Sequence, residues 1–423
     1  MKKYEQYKPT GISWLPEIPA HWEEKRLATR FHGRVEANSD FEFKRAFKFN
    51  YGSVVPKNEV GDPAEYRDVY VKYSKVLKND ILINGLNLNY DFVSQRVAIV
   101  PEPGIVTSAY VVLRPFDTTY APYFCYLFKA MDSQKLFHGM GTGIRLTLSF
   151  DELKKQLIPI PSIEEQNRIV SFLDKKIALI ESCATQKEAE ITALNELKQT
   201  ELAVVITQGL KPDLPSKESG IFWQPYIPES WSVTKLKHVL TKLERERRPD
   251  DELLVCSNSG DVKKRGDSRL GLVADSDEIY QGVRNGDLLI HGMDTWHGAI
   301  AVSNYDGMCT PVVHVCDSSQ NKKYIAMYLR NMANQKVFKL ISNGVRQNTS
   351  DFRSWGKLGA LPIPIPPIEE QNAIVDYLEK KYAKIDRMVE ALTAEIERLN
   401  EYKQRLISDV VTGQIDIRNE VIA

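Results

Sequence analysis

Pro159-Ile160-Pro161-Ser162-Ile163-Glu164-Glu165-Gln166-Asn167-Arg168-Ile169-Val170 returns near the end of the chain as Pro364-Ile365-Pro366-Pro367-Ile368-Glu369-Glu370-Gln371-Asn372-Ala373-Ile374-Val375. Glu164 and Glu369 are 205 residues apart in a chain of 423. A block of this length does not recur by chance, so the chain is a duplication and its fold must be one plan used twice. The front of each half repeats as well. The run from Ser13 to Leu27 holds Trp14, Pro16, Pro19 and Trp22, and the run from Phe222 to Leu236 holds Trp223, Pro225, Pro228 and Trp231.

After each repeated block the character of the sequence changes to helix. Ser162 with Glu165 three residues on reads as a capping box, which satisfies orphan N–H groups at a helix start. The prolines just before it set the boundary. No Pro or Gly follows until Gly209. Ile169, Leu173, Ile177, Ile180, Ala184, Ile191, Leu194 and Val205 keep to steps of three and four. In the second copy Ile374, Leu378, Tyr382, Ile385, Val389, Leu392, Ile396, Leu399, Leu406 and Val410 do the same, up to Gly413. Such spacing is the seam of a coiled coil. Lys187, Lys198 and Glu201 interrupt the first seam and Lys403 the second. Polar seam residues weaken a pairing but fix its register. Each helix is expected to run about 45 residues, roughly 65–70 Å at 1.5 Å per residue. An apolar stripe that long needs a partner. The other copy is the natural one, in an antiparallel pair with a pseudo-two-fold axis; a second subunit is the alternative.

Between these landmarks the halves correspond more loosely. Val76 to Gly85 matches Val283 to Gly292, a turn leading into a short buried strand, and Gly104–Thr107 matches Gly307–Thr310. Helical stretches near 121–137 and 321–340 both contain Gln-Lys-x-Phe, at Gln134 and Gln335. The expected class is α+β. It comprises a mixed α/β globule over 1–161, a long central helix over 162–210, a second globule over 211–366, a long C-terminal helix over 367–415 and a tail over 416–423. Each globule has an ordinary domain size.

The net charge of zero hides an alternation. The globular blocks 1–161 and 211–366 carry +4 and +3, and the helical blocks 162–210 and 367–423 carry −3 and −4. A mildly basic globule can meet phosphate. The composition is globular, with 43% hydrophobic and 26% charged residues, and no apolar run has the length of a membrane span. The N-terminus lacks the apolar centre of a signal peptide. Five cysteines without a Cys-x-x-Cys pair point to reduced thiols and a cytoplasmic location.

Motifs for catalysis are sparse. The glycine loop Phe137-His138-Gly139-Met140-Gly141-Thr142-Gly143 resembles a loop that binds S-adenosylmethionine, but it follows a helical stretch where such a loop follows a strand. The Asn-Pro-Pro-aromatic and Asp-Pro-Pro-aromatic motifs of adenine methylation do not occur, nor does a Gly-x-x-x-x-Gly-Lys-Ser/Thr phosphate loop. His291 and His297 lack metal-ligand spacing, and Asp250-Asp251-Glu252 reads as a solvated charge run. No catalytic, cofactor or metal residue is assigned.

Side chains suited to nucleic acid fall where the halves diverge. Gly141 to Thr147 and Asn343 to Thr349 occupy equivalent places, and each keeps Gly-x-Arg. Arginine forks onto guanine or phosphate, and Asn or Gln pairs bidentately with adenine. The candidate readers are Asn84, Asn87, Asn89, Tyr90, Thr142, Arg145 and Thr147 in the first half. In the second they are Lys263, Lys264, Arg265, Arg269, His291, Asp294, Asn343, Arg346, Gln347 and Asn348. Ends that repeat closely around loops that differ are expected of a common frame presenting two different reading surfaces.

Two divergent globules, each ending in Pro-Ile-Pro-x-Ile-Glu-Glu-Gln-Asn-x-Ile-Val and a long helix, resemble the specificity subunit of type I restriction-modification systems. The resemblance spans essentially the whole chain, including Trp22 to Leu27 and Trp231 to Leu236. It implies two target-recognition domains, each reading half of a bipartite, asymmetric double-stranded DNA sequence in the major groove. The helices would be a spacer and a platform for two methyltransferase (modification) subunits, docked at Glu164, Glu165, Gln166 and Asn167 and at Glu369, Glu370, Gln371 and Asn372. Motor-nuclease (restriction) subunits would join them. S-adenosylmethionine, ATP and Mg would belong to those partners, and this chain would not itself be an enzyme. The alternatives are a structural adaptor that reads no DNA and the remnant of a fused restriction-methylation enzyme.

Overall fold

The computed structural model describes residues 2–33, 36–50, 52–58, 61–92, 95–141, 146–211, 213–266, 279–342 and 352–420. The chain forms two units, one of residues 1–187 with 393–423 and one of residues 188–392. Each unit therefore holds one globule and a stretch of each long helix. The class is α+β, with an internal repeat and two long helices paired antiparallel.

In the first unit a four-stranded antiparallel sheet runs in the order Phe31–Gly33, Val111–Pro115, Ile81–Ile83, Val97–Ile99. In the second, Thr241–Lys242, Val313–Asp317, Leu288–His291 and Ile300–Val302 repeat that order. Successive strand residues face opposite ways, and here both faces are covered. Ile81 and Ile83 pack in the core under helix Ala121–Ser133, while Leu82 joins Phe47, Val76, Val106 and Val112 on the other face. Leu288 and Ile290 face helix Lys322–Asn334, and Leu289 packs with Leu254, Val283 and Val315. This is why both central strands read as continuous apolar runs rather than alternating ones.

Pro159 and Pro364 of the repeated block lie in two-stranded ribbons. Leu157–Ile160 pairs with Glu23–Arg26, and Pro362–Ile365 with Ser232–Lys235. A ribbon accepts proline because alternate N–H groups point away from the ladder. Trp22 and Trp231 are fully buried, and the backbone N–H of each donates to the proline carbonyl three residues earlier, Pro19 or Pro228.

The long helices span Ile163–Gln208 and Ile368–Val411. In the first unit Ile169, Phe172, Leu173 and Ile180 share a core with Leu406, Val410 and Val411. In the second, Leu202, Val205 and Ile206 share one with Ile374, Val375 and Leu378. The ion pairs Glu181–Lys403 and Lys187–Glu395 in one unit, and Lys198–Asp386 and Glu201–Lys381 in the other, fix the direction. As one residue number rises its partner's falls. Both helices stop at glycine with positive φ, Gly209 at +77° and Gly413 at +73°, the left-handed turn that ends a helix without a Cβ penalty. A Cβ on Gly413 would stand 2.4 Å from Pro19 and 3.1 Å from Trp22, so the closing tryptophan also demands glycine there.

Candidate nucleic-acid interface and docking shoulders

In the first unit the last ladder pair is Ile83 with Val97. Asn84 extends it by one bond, donating its N–H to the Arg96 carbonyl at 2.8 Å, and the chain then leaves the sheet. Gly85 is required at this exit, since a Cβ would lie 2.7 Å from the Leu148 carbonyl oxygen. The Asn84 side chain accepts the Leu86 N–H at 3.2 Å, an Asx turn that starts the loop. Asn87 sits at φ +54°, a conformation Asn tolerates better than most side chains. Asn87 is exposed and Tyr90 is 81% exposed, while Asn89 is half-buried. Thr147 is exposed beside Leu148, whose N–H donates to the Gly85 carbonyl at 3.0 Å. Thus Asn84, Asn87, Asn89, Tyr90 and Thr147 gather around one loop. Thr142 and Arg145 lie outside the described residues.

The second unit solves the same exit differently. His291 takes the place of Asn84, its N–H donating to Ala299 at 3.0 Å, and Gly292 that of Gly85. The loop is shorter and closes through Gly298 at φ +79°. The buried His291 ring accepts the Asp294 N–H on Nδ1 at 3.0 Å, with the Asp294 carboxylate 3.2 Å away. Burial holds this imidazole below its ordinary pKa, keeping Nδ1 free to accept. His291 therefore shapes the turn, and Asp294 is the half-buried member of the pair. Lys263 and Lys264 stand apart from this turn, exposed on the hairpin of Leu254–Cys256 with Val262–Lys264. Lys264 pairs with Glu252 at 2.8 Å, which raises its pKa, and the Arg265 N–H donates to the Leu253 carbonyl. Arg269, Asn343, Arg346, Gln347 and Asn348 lie outside the described residues.

The helix starts revise the expected docking shoulders. Ser162 Oγ accepts the Glu165 N–H at 3.3 Å, but the Glu165 carboxylate does not return the bond to complete a capping box. It is buried instead, accepting from Tyr4 Oη at 2.5 Å and Trp22 Nε1 at 3.0 Å, with His21 Nε2 at 3.0 Å. Burial and this carboxylate push the Tyr4 phenol well above its ordinary pKa. Gln166 and Gln371 are buried too, each donating Nε2 to the carbonyl five residues back, Pro161 at 2.9 Å and Pro366 at 2.8 Å. Gln371 Oε1 also receives the Asn321 N–H at 3.0 Å, at the cap of helix Lys322–Asn334. Glu165, Gln166 and Gln371 thus lock helix to globule from within. Glu164, Asn167, Glu369 and Asn372 are exposed, and Glu370 is half-buried. Asn372 accepts from Asn321 Nδ2 at 2.8 Å.

Two structural residues escaped the sequence reading. Tyr4 lies outside the repeat, so no pattern pointed to its bond with Glu165. Arg96 opens a strand that is otherwise apolar, Val97-Ala98-Ile99-Val100, and a charge at the head of a buried strand was the available signal. Among the described residues no group of three His, Cys, Asp or Glu side chains could hold a metal, and no helix is long and apolar enough to cross a membrane.

Two globules of one topology, each closed by antiparallel helix and each with different loops at the same sheet exit, define a duplicated scaffold with a variable surface. The family model of the type I restriction modification DNA specificity domain matches residues 66–193 and 228–398, and the chain belongs to that family. It is 23% identical to a putative type I restriction enzyme MjaX specificity subunit of Methanocaldococcus jannaschii, over 98% of both chains. It is 25% identical to the type I restriction enzyme EcoBI specificity subunit of Escherichia coli, over 63% of this chain and 60% of that one. In fold it is similar to a chain from a structural study of complex assembly and conformational transition of the type I R-M system, at TM-score 0.70 and 16% identity, over 94% of this chain and 99% of that one. The HsdS subunit from Thermoanaerobacter tengcongensis is similar at TM-score 0.50 and 16% identity, over 94% and 98%.

Proposed function

We propose that this chain is the DNA-reading subunit of a type I restriction-modification complex. Each unit reads one half of a split, asymmetric duplex sequence in the major groove. The two long helices set the number of unread base pairs between the halves and carry two methyltransferase subunits, with motor-nuclease subunits joining them. The partners bring S-adenosylmethionine, ATP and Mg, and this chain brings specificity.

One observation carries the reading: the frame is conserved between the units while the sheet exit is not. Asn84 with Arg96 and His291 with Ala299 make the same backbone bond at the same place in the sheet. Beyond it one unit presents Asn87 and Tyr90, and the other a short turn shaped by His291 and Asp294. A repeat kept for stability alone has no use for different loops on one frame; a pair of readers for unlike half-sites does. The exposed members of the helix starts, Glu164, Asn167, Glu369 and Asn372, remain the docking candidates.

The test is to map methylated adenines in a genome expressing this chain with its methyltransferase partner. A split motif with two defined halves is expected. No split motif with both genes expressed would overturn the reading in favour of an adaptor without DNA recognition.

A further inference from the structure

Arg96 is 1% exposed at the base of the first unit's 84–92 loop. A guanidinium cannot shed its charge, so burying it is costly unless its donors are filled. Here the loop's own backbone fills the four Nη donors, and Nε alone is buried without a partner. Nη1 donates to the carbonyls of Asn84 at 3.0 Å and Leu86 at 2.6 Å, and Nη2 to those of Asn87 at 3.3 Å and Asp91 at 2.7 Å. The Asp91 carboxylate lies 3.8 Å from Nη2. The Arg96 N–H donates to the buried Asp132 carboxylate at 2.7 Å, tying the collar to helix Ala121–Ser133. His138 Nε2 is 3.0 Å from the Asp91 carbonyl, and Phe92 stacks on its ring at 4.7 Å.

One side chain therefore holds the start, the middle and the far side of the loop. It does so through carbonyl oxygens, which leaves the exposed Asn87 and Tyr90 on the outer surface. Those two carry an amide for an adenine edge and a phenol for a base face or phosphate. At the equivalent place the second unit has Ala299, and its short turn holds itself. A loop fixed before contact loses less freedom on binding.

We infer that Arg96 is a positioning residue for DNA recognition, holding the 84–92 loop in one shape so that Asn87 and Tyr90 meet the first unit's half-site preformed. This rests on the reading that the unit binds DNA.

The test uses the full chain with its methyltransferase partner and a pool of duplex DNA with a randomised block, from which methylated molecules are recovered and sequenced. Arg96→Lys keeps the charge but cannot fork onto four carbonyls. It is expected to blur one half of the selected sequence, with discrimination there falling roughly tenfold, and to leave the other half unchanged. Chymotrypsin cleavage at Tyr90 and Phe92 should quicken in the same variant. Equal loss in both halves, or two halves left intact, would overturn the inference. If Arg96→Lys does not fold, Asn87→Ala and Tyr90→Ala decide: blurring of a single half supports the loop's role, and two unchanged halves reject it. A wild-type complex that selects no split sequence removes the functional reading itself. That outcome is distinct from a wild type that selects two halves which the Arg96 variant preserves.

Discussion

Glu165 and Glu370 occupy the same place in the repeat and hold different jobs. Glu165 accepts from Tyr4 and Trp22 in a buried site, whereas Trp231 Nε1 has no hydrogen-bond partner and Glu370 is half-buried. Removing an acceptor from buried donors costs the desolvation of those donors, about 2–4 kcal/mol when the group lost is charged. Glu165→Ala should therefore lower unfolding stability by about that amount, and Glu370→Ala by about 1 kcal/mol or less, as read from urea titrations of the full chain. Equal losses would show that Trp22 and Tyr4 do not depend on the carboxylate. A second residue-scale prediction concerns pH. Burial holds His291 and His314 below their ordinary pKa, and Lys242 and His291 add to the effect on His314. His314 Nε2 lies 2.7 Å from the Phe352 carbonyl and so donates, leaving Nδ1 as the bare nitrogen of a neutral ring. A depressed folded pKa gives stability that is present above about 6.5 and lost as pH falls below it, because the unfolded chain binds the proton more readily. Melting temperature should drop between pH 7.5 and 5.5. His314→Gln, which keeps the donor to Phe352, should flatten that drop. The repeat pointed to Glu165 without telling which way it faced, since a helix-start carboxylate reads alike whether it caps its own helix or turns into a core.

The long helices were the most legible elements. None of the apolar positions assigned to the two seams is exposed, because a stripe repeated over so many turns leaves a helix one face to bury. The polar interruptions also carried information. Lys187, Lys198, Glu201 and Lys403 each find an opposite charge on the facing helix, so the positions that break the stripe are those that set its register. What stayed hidden was the packing at each helix end. Its glycine was visible, but the tryptophan beside it comes from another segment, Trp231 for Gly209 and Trp22 for Gly413. The register can be tested at Lys198, which lies 2.7 Å from the Asp386 carboxylate and 4.7 Å from the centre of the Tyr382 ring. Both charged groups are partly solvated, so Lys198→Asp should cost only about 1 kcal/mol. Adding Asp386→Lys should restore part of it through the swapped ion pair, but not the cation–ring contact, which needs a cation at 198. Strictly additive effects in this double-mutant cycle would mean the pair does not couple the helices.

At the scale of the molecule, duplication made the architecture readable before any strand could be placed: one plan, two copies, and loops free to differ. The loops were the least readable part. Their shapes depend on single buried side chains such as Arg96, which has Ala299 in its place in the other half. The exit glycine does repeat, as Gly85 and Gly292, but the backbone it makes room for, Leu148 in one half and Phe352 with Arg353 in the other, is set by packing across the chain. The proposed spacer role can be tested with the same logic. Removing one heptad from each helix at matched places, residues 184–190 and 392–398, takes out the Lys187–Glu395 pair but keeps the register set by Glu181 with Lys403 and Lys198 with Asp386 on either side. A heptad is about 10.5 Å of helix, close to three base pairs of duplex at about 3.4 Å each. Rotation does not match as well as length. Seven residues turn a straight helix by only about 20° from its starting azimuth, whereas three base pairs turn the duplex by about 100° at 10–10.5 base pairs per turn. If the helices set the gap, the doubly shortened chain should lose methylation at the original spacing by tenfold or more. Any site it selects from a pool with a randomised gap should carry both original halves at a new separation. A variant that keeps the original gap, or that changes the half-sites themselves, would show that the helices are not the ruler.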